Sequence, residues 1–418
     1  MTTTNTPHIA VIGAGPGGLT CARVLQRHGV DVTVYDRDTG ADARDQGGTL
    51  DMHADKGQIA LREAGMLDEF LALARPEGQA HRSMNPQGEV VAEHLPEPGE
   101  DAAPEIDRGQ LRRLLADSLA PGTIAWGRAL SAAVPIGDGR HRLDFADGSR
   151  AEADLVIGAD GAWSRVRPLV SPATPAYTGV CFVEAHYNDV DTAHPAVAAV
   201  VGAGSMFAIA DGRGLVAQRN SGGHVRTYIA VTAAPDWLPA AGIDPADTAA
   251  VRAALLERFA GWDDRLLALI RENDGPYANR PLHTLPVPHT WTHTPGVTLL
   301  GDAAHLMTPF GGFGANLAML DGAELALSVA RSATVDEAIT AYERVMLPRA
   351  TEHAARSSAE RLRQIFGAGE HTPADAPDFA AEAQAYTQRA AARRAQSSRP
   401  GIAARTISST SSKAESSP

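Results

Sequence analysis

An α/β fold, in which a parallel sheet is interrupted by a sheet-rich insertion and followed by a long C-terminal helix, is predicted by three features of the sequence. The first is Ile9-Ala10-Val11-Ile12-Gly13-Ala14-Gly15-Pro16-Gly17-Gly18. This apolar run stops at a Gly-rich turn, and Leu19, Ala22, Val24 and Leu25 then follow at helical spacing, the pattern of a buried parallel strand feeding a helix. The second feature is recurrence, since short apolar runs also end at Asp36, at Gly158-Ala159-Asp160-Gly161 and at Gly301-Asp302-Ala303-Ala304-His305. The third is a change of texture from Gly179 to Val231, where strand-like segments replace the alternation of strand and helix.

Within the first turn each glycine has a task. Gly13 permits the tight turn, Gly15 lets a pyrophosphate approach bare backbone, and Gly18 lets helix and strand pack closely, so that phosphates meet the helix N-terminus. The next strand, Val32-Thr33-Val34-Tyr35, ends in Asp36, about twenty residues on, where a carboxylate can accept hydrogen bonds from an adenosine ribose. The Gly-Gly turn in Arg44-Asp45-Gln46-Gly47-Gly48-Thr49-Leu50-Asp51-Met52-His53 reads as a loop, and Gly57 to Ala64 reads as a helix capped by Gly65. Arg108 stands at the start of a helix through Leu111, Leu114, Leu115 and Leu119, where a basic side chain suits a bound anion better than the helix dipole.

Farther along, His141 to Ser149 alternates and ends in Asp-Gly, a hairpin signal. The insertion predicts strands at 181–187, 205–210, 215–219 and 224–231, then helices over 248–259 and 262–272. Val297 to Leu300 is a fourth parallel strand, and Ala315 to Val329 is helical in period. One long helix is expected from Val335 to Phe366, and a further helix from Phe379 to Arg394 with a solvated basic end. The Ser-rich last twenty residues read as disordered. The expected units are 1–177 and 286–330 for the dinucleotide-binding part, 178–285 for the sheet-rich part, 331–366 for the long helix and 367–418 for a tail.

Composition excludes several classes. With 37 Lys and Arg against 50 Asp and Glu, the formal charge of −13 argues against nucleic acid as a partner. The two cysteines, Cys21 and Cys181, have neither metal nor redox-pair spacing, so two buried free thiols in a reducing compartment are expected. No stretch has the length and apolarity of a membrane span, and no metal site is expected. A cytoplasmic monomer is the expectation.

Four strands ending at Gly- or Asp-bearing turns in this order resemble the group A flavoprotein monooxygenases over residues 8 to 366. Asp160-Gly161 with Ser164-Arg165-Val166-Arg167 is similar to the family's Asp-Gly motif, and Gly301-Asp302-Ala303-Ala304-His305 with Pro309 to its Gly-Asp motif. Within the family, Gly47-Gly48-Thr49-Leu50-Asp51-Met52-His53 with Gly57-Gln58 looks closest to the FAD-dependent tetracycline-inactivating enzymes. The resemblance implies a Rossmann-like FAD-binding domain with an inserted substrate domain. It also implies NADPH as a transient reductant, and O₂ activated through a flavin C4a-hydroperoxide that hydroxylates a tetracycline-like polycyclic phenol or enol, possible antibiotic resistance included. The flavin carries the chemistry, so no catalytic residue is required.

By the same resemblance Asp302 bonds the ribityl chain of FAD, Asp51 and Arg108 contact FAD, and Asp36 and Arg37 meet its adenosine half. Arg44 meets NADPH, Asp160 belongs to the cofactor motifs, and the helix after Gly314 aims its N-terminus at the flavin. Met206, Gln218, His224, Arg226 and Phe310 are the candidate substrate contacts. Phe313 departs from the Gln usual beside the flavin, which implies one polar contact fewer. His53 and His305 are expected to be structural. Two alternatives stay open here, an aromatic hydroxylase of polyketide biosynthesis and a non-catalytic flavin-binding protein.

Overall fold

The computed structural model describes residues 7–367 and 378–397. At its centre is a five-stranded parallel sheet in the order Val297–Leu299, Leu155–Gly158, Ile9–Ile12, Val32–Tyr35, Ile124–Ala125. Every residue of Ile9–Ile12 and Leu155–Gly158 is buried, which is why these strands read as uninterrupted apolar runs. All four strands expected from the motif turns lie in this sheet. The fold class is therefore the one the sequence predicts.

Two helices cross against each other on this sheet, Pro16–Arg27 and Phe313–Arg331, at glycine-to-backbone distance. A methyl group on Gly17 would stand 2.7 Å from the Ala318 carbonyl oxygen, and one on Gly322 would overlap the Gly17 carbonyl. The absence of two side chains thus sets the separation of the helices.

A second sheet of seven strands runs Ala278–Thr284, Ala176–Tyr187, Val225–Thr232, Arg213–Arg219, Ser205–Ala210, His81–Met84, Val90–His94. The last two come from a stretch a hundred residues earlier that carries no strand signal in the sequence. One face packs Cys181, Val183, Met206, Ala208, Leu215 and Ile229 against helices that include Pro195–Val201, Thr248–Arg258 and Asp264–Arg271. The other face is turned toward the parallel sheet's loops. Both cysteines are buried and free. No helix among the described residues is long and apolar enough to cross a membrane.

The long helix expected over 335–366 is instead two. Val335–Arg356 ends before Ser357, whose hydroxyl lies 2.8 Å from the carbonyls of both Thr308 and Phe310. Ser358 then caps Ala359–Ile365 by accepting the Arg361 N–H. The helix expected at 379–394 is Phe379–Ser397, and its basic end is not merely solvated: Arg389 Nε meets Asp55 at 2.5 Å and Arg393 meets Glu324 at 3.5 Å. The expected disorder of the last twenty residues lies outside the described residues.

Gly322→Ala should destabilise the protein by roughly 1–3 kcal/mol, the usual cost of adding a methyl to a closely packed core. Urea unfolding measures it; an unchanged midpoint would show that the two helices can separate without penalty.

Candidate functional site

Gly13, at φ 111°, donates its N–H to the Tyr35 carbonyl at 2.8 Å, and a side chain there would overlap the Ala159 carbonyl. Gly18 is equally closed, because a methyl on it would run into the Gly13 carbonyl. Gly15 differs. It caps the first helix, and nothing lies within 4 Å of where its Cβ would be. The turn is sealed against protein on two sides and open over the helix N-terminus, a shape that admits a phosphate.

Asp36 accepts the N–H groups of Ala14 at 2.6 Å and Asp38 at 2.8 Å. Arg112, buried and unmarked in the sequence reading, donates to the carbonyls of Ala14 (2.9 Å) and Ala41 (3.0 Å) and meets Asp38 at 2.9 Å. It stands 5.3 Å over the Trp126 ring. Its place about one turn into the leucine-periodic helix beginning at Arg108 is the only sequence clue to it. Arg44, exposed, is paired with Asp38 at 3.1 Å, and Arg37 is exposed without an ion-pair partner among the described residues.

Asp160 is used within its own loop, accepting the Ser164 hydroxyl and the Arg165 N–H, both at 2.6 Å. Arg167 is buried and joins that loop to the next motif, donating to the carbonyls of Ala162 (2.7 Å), Ala303 (2.8 Å) and Asp302 (3.3 Å). The Asp302 side chain has no hydrogen-bond partner among the described residues. It opens into a cavity and is otherwise surrounded by protein, so enclosure raises its carboxyl above the ordinary range against the pull of His305, Arg108 and Arg167. His305 is structural: its Nε2 meets Asp321 at 2.6 Å, and Asp321 also takes the Gly301 N–H and Arg349. Burial alone would raise the Asp321 carboxyl, yet His305 and Arg349 hold it low.

The cavity has a volume of about 490 Å³. Asp51, Arg108, Asp302 and the first turn of the Phe313–Arg331 helix, Gly314 included, line one side of it. Arg108 has no anionic partner among the described residues, and the free N–H groups of the helix start carry positive partial charge. Asp51 accepts from His53 Nε2 at 2.9 Å, and Asn316 ties this region together by donating to the carbonyls of Asp51 (2.7 Å) and Gly312 (3.0 Å).

Opposite stands the face of the seven-stranded sheet, presenting Phe182, Glu184, Ser205, Phe207, Val216, Gln218 and Tyr228. Strand alternation decides which residues these are. Gln218 and Phe310 line the cavity as expected, but Met206 does not, since it points to the helix-covered face. His224 is exposed at the turn before Val225–Thr232, away from the cavity. Arg226 is drawn off by ion pairs with Asp45 and with Glu184 (3.8 Å).

Phe313 also turns away. It packs with Met307, Leu317 and Ala354, edge-on to His53, so the apolar residue replaces no cavity contact. Tyr386, from the helix in the expected tail, stacks on His53 at 4.0 Å and lines the cavity with Glu382 and Ala383. This wall has no signal in the sequence, because its polar residues resemble an ordinary solvated helix.

A dinucleotide fits these features: an open Gly15 cradle, an unpartnered Arg108, an unpartnered Asp302 and a helix start facing one cavity. Fold and site together define a flavin-dinucleotide enzyme. A family model described as FAD binding domain matches residues 6–357, and the chain belongs to that family as an FAD-dependent monooxygenase, for which NADPH is the typical reductant. It is 32% identical over 407 residues to Monooxygenase penA of Penicillium thymicola, covering 84% of this chain and 93% of that protein. Among solved structures, Klebsiella pneumoniae HpxO complexed with FAD and uric acid superposes with TM-score 0.73 at 21% identity, covering 94% and 95% of the two chains. Tetracycline destructase Tet(51) does so with TM-score 0.65 at 18% identity, covering 95% and 100%. The likeness to tetracycline-inactivating enzymes is thus one of fold.

Gly15→Ala should leave the stability of the flavin-free protein unchanged, because the residue has φ −82° and open space around it. FAD affinity should fall about tenfold or more as the methyl occupies the cradle, measured by flavin titration beside Asp302→Ala. Full flavin occupancy in both variants would remove the cofactor from this site.

Proposed function

We propose that this chain hydroxylates a flat polycyclic phenol or enol, a tetracycline-like compound, held between the flavin and the seven-stranded sheet. The observation that carries the reading is the single cavity with two unlike walls. One is formed by groups suited to FAD; the other is a sheet face on which aromatic and apolar side chains surround the polar groups Glu184, Ser205, Gln218 and Arg280, the mixture small-molecule sites commonly have.

Gly13, Gly15 and Gly18 would receive the pyrophosphate. Asp36, with Arg37 nearby, would serve the adenosine half. Asp302 and Asp51 would accept from the flavin's hydroxyl-bearing side, and Arg108 would offset anionic charge. Asp160 acts indirectly, by holding its loop against Gly13. The Gly314 helix start, which lines the cavity, would favour negative charge on a flavin bound there. Bound FAD supplies the redox and oxygen chemistry, with electrons from NADPH and the second substrate O₂. The chain's own work is to hold the reacting carbon in place and keep water out. Phe182, Phe207, Phe310 and Tyr228 suit that work as an aromatic enclosure.

Arg44, beside the Gly47-Gly48 turn, is proposed as the NADPH contact. Arg44→Ala should raise the KM for NADPH about fivefold with flavin content unchanged, as expected for one lost charge-assisted contact. Lost flavin at constant KM would assign the residue to FAD.

Incubation with NADPH, ¹⁸O₂ and tetracycline should yield a product carrying one labelled oxygen atom. An unchanged mass with hydrogen peroxide formed would make tetracycline an uncoupler and favour the aromatic-hydroxylase alternative. If no phenolic polyketide gains oxygen, the hydroxylase proposal fails.

A further inference from the structure

One end of the cavity is acidic beyond what FAD requires. Asp51 and Glu105 are directly paired across the short antiparallel strands Thr49–Asp51 and Glu105–Asp107. Glu100 and Glu382 line the cavity with them. Two arginines also line it: Arg280 pairs with Glu184 at 3.3 Å, and Arg108, without an ion-pair partner among the described residues, stands near Asp302 on the wall assigned to FAD. Among the described residues this end forms no metal-binding group.

Glu105 supplies an independent observation. It is 3% exposed, and its Oε2 atom has no hydrogen-bond partner among the described residues. Arg75 is near but donates to the Thr49 hydroxyl at 3.2 Å and to Asp107 at 3.5 Å. Burial, and next the charge of Asp51, push the Glu105 carboxyl up to about 8. Glu382 is solvent-exposed, yet the protein around it raises its carboxyl as well, with Asp51 adding to the rise against the pull of His53, Arg356 and Arg389. The basic groups facing the cluster are His53, which bonds Asp51, Arg75 beside Glu105, Arg356 and Arg389, which act on Glu382, and the pair His81 and His94. Burial pushes His81 down to about 4, and His94 is already hydrogen-bonded to Glu100 at 3.3 Å.

We infer that this end of the cavity selects substrate by charge: its occupant is a neutral or cationic aromatic that turns N–H or O–H donors toward Glu100 and Glu382, and aromatic carboxylates are rejected. A carboxylate placed here would repeat the situation of Glu105, which burial and the charge of Asp51 keep protonated at neutral pH, because repulsion in a partly enclosed space is screened far less than in water. A phenol, lactam N–H or ammonium group would give the Glu382 carboxylate a donor that the described residues do not supply, and Glu100 a further one beside His94 and the Glu97 N–H. The inference rests on the reading of this cavity as the substrate site.

Three probes sharing one bicyclic phenol test it: 6-hydroxy-2-naphthoate, 6-hydroxy-2-naphthamide and 6-(aminomethyl)-2-naphthol, titrated into the FAD-loaded enzyme with Kd read from the flavin spectrum. The amide and the amine should bind at least about tenfold more tightly than the carboxylate. In Glu382→Gln and Glu100→Gln that ratio should shrink several-fold, through tighter carboxylate binding. Glu382 is exposed on the Phe379–Ser397 helix, so its variant folds even if Glu100→Gln does not. Equal affinity for all three probes, or a ratio unmoved in Glu382→Gln, overturns the inference, as does the failure of every probe to bind. Product mass under ¹⁸O₂ separates this from the hydroxylase proposal. Oxygen gained without charge preference sinks only the selectivity; charge preference without oxygen gain sinks only the hydroxylation.

Discussion

The contact between Gly17 and Gly322 sets the geometry on which the site depends. Because neither residue has a side chain, the first helix and the Phe313–Arg331 helix approach to backbone distance. The residue beside Gly322 is Asp321, which points along a different direction of the same helix and holds the Gly301 N–H, His305 and Arg349. One short piece of helix therefore grips the first glycine motif with one residue and the Gly301-Asp302 motif with the next. A shift of this helix would move the pyrophosphate cradle, Asp302 and the helix start at Gly314 together.

The buried arginines complete that frame in the same manner. Arg112 and Arg167 spend their N–H groups largely on backbone carbonyls of the motif loops. A guanidinium offers five donors in a fixed plane, so one side chain can fix several carbonyls of a loop that has no ladder of its own. This also explains why Asp36 and Asp160, though part of recognisable motifs, are largely occupied with protein N–H groups. Their work is to shape the turns that a ligand meets, and Asp302 is the motif carboxylate left unpaired.

The parallel sheet was legible because strands buried on both faces are apolar throughout, and its turns because few residues other than glycine tolerate their geometry. The hairpin at His81–His94 was not, since one of its faces lines a polar cavity and the other is partly exposed. Met206 was misplaced by a phase of one residue. Both Ser205 and Met206 lie in a strand with apolar residues on each face, and the apolar side chain looked like the pocket residue. The register shows otherwise: Ser205 pairs with Gln218, and two polar residues opposite each other in an otherwise apolar sheet are the signal of a solvent-filled face. The break at Ser357 depends on carbonyls of Thr308 and Phe310 nearly fifty residues away, so no local pattern announces it.

The two walls of the cavity differ in how they are built, and this separates chemistry from selection. Backbone carries much of the wall around Asp302: glycine turns, a helix start and loops pinned by buried arginines, where most substitutions disturb packing. Side chains on one sheet face, a short strand pair and the Phe379–Ser397 helix make the rest, with their alternate residues or opposite faces anchoring them elsewhere. Ser205 and Phe207 can therefore change without touching Met206 and Ala208, because strand alternation assigns them to different sides. The helix contributes Glu382 and Tyr386 to the cavity while Arg389 fastens it to Asp55. Such an arrangement lets the charge and shape of the substrate end vary while the frame around Gly17 and Gly322 stays fixed, which is how one flavin-binding fold can serve different substrates.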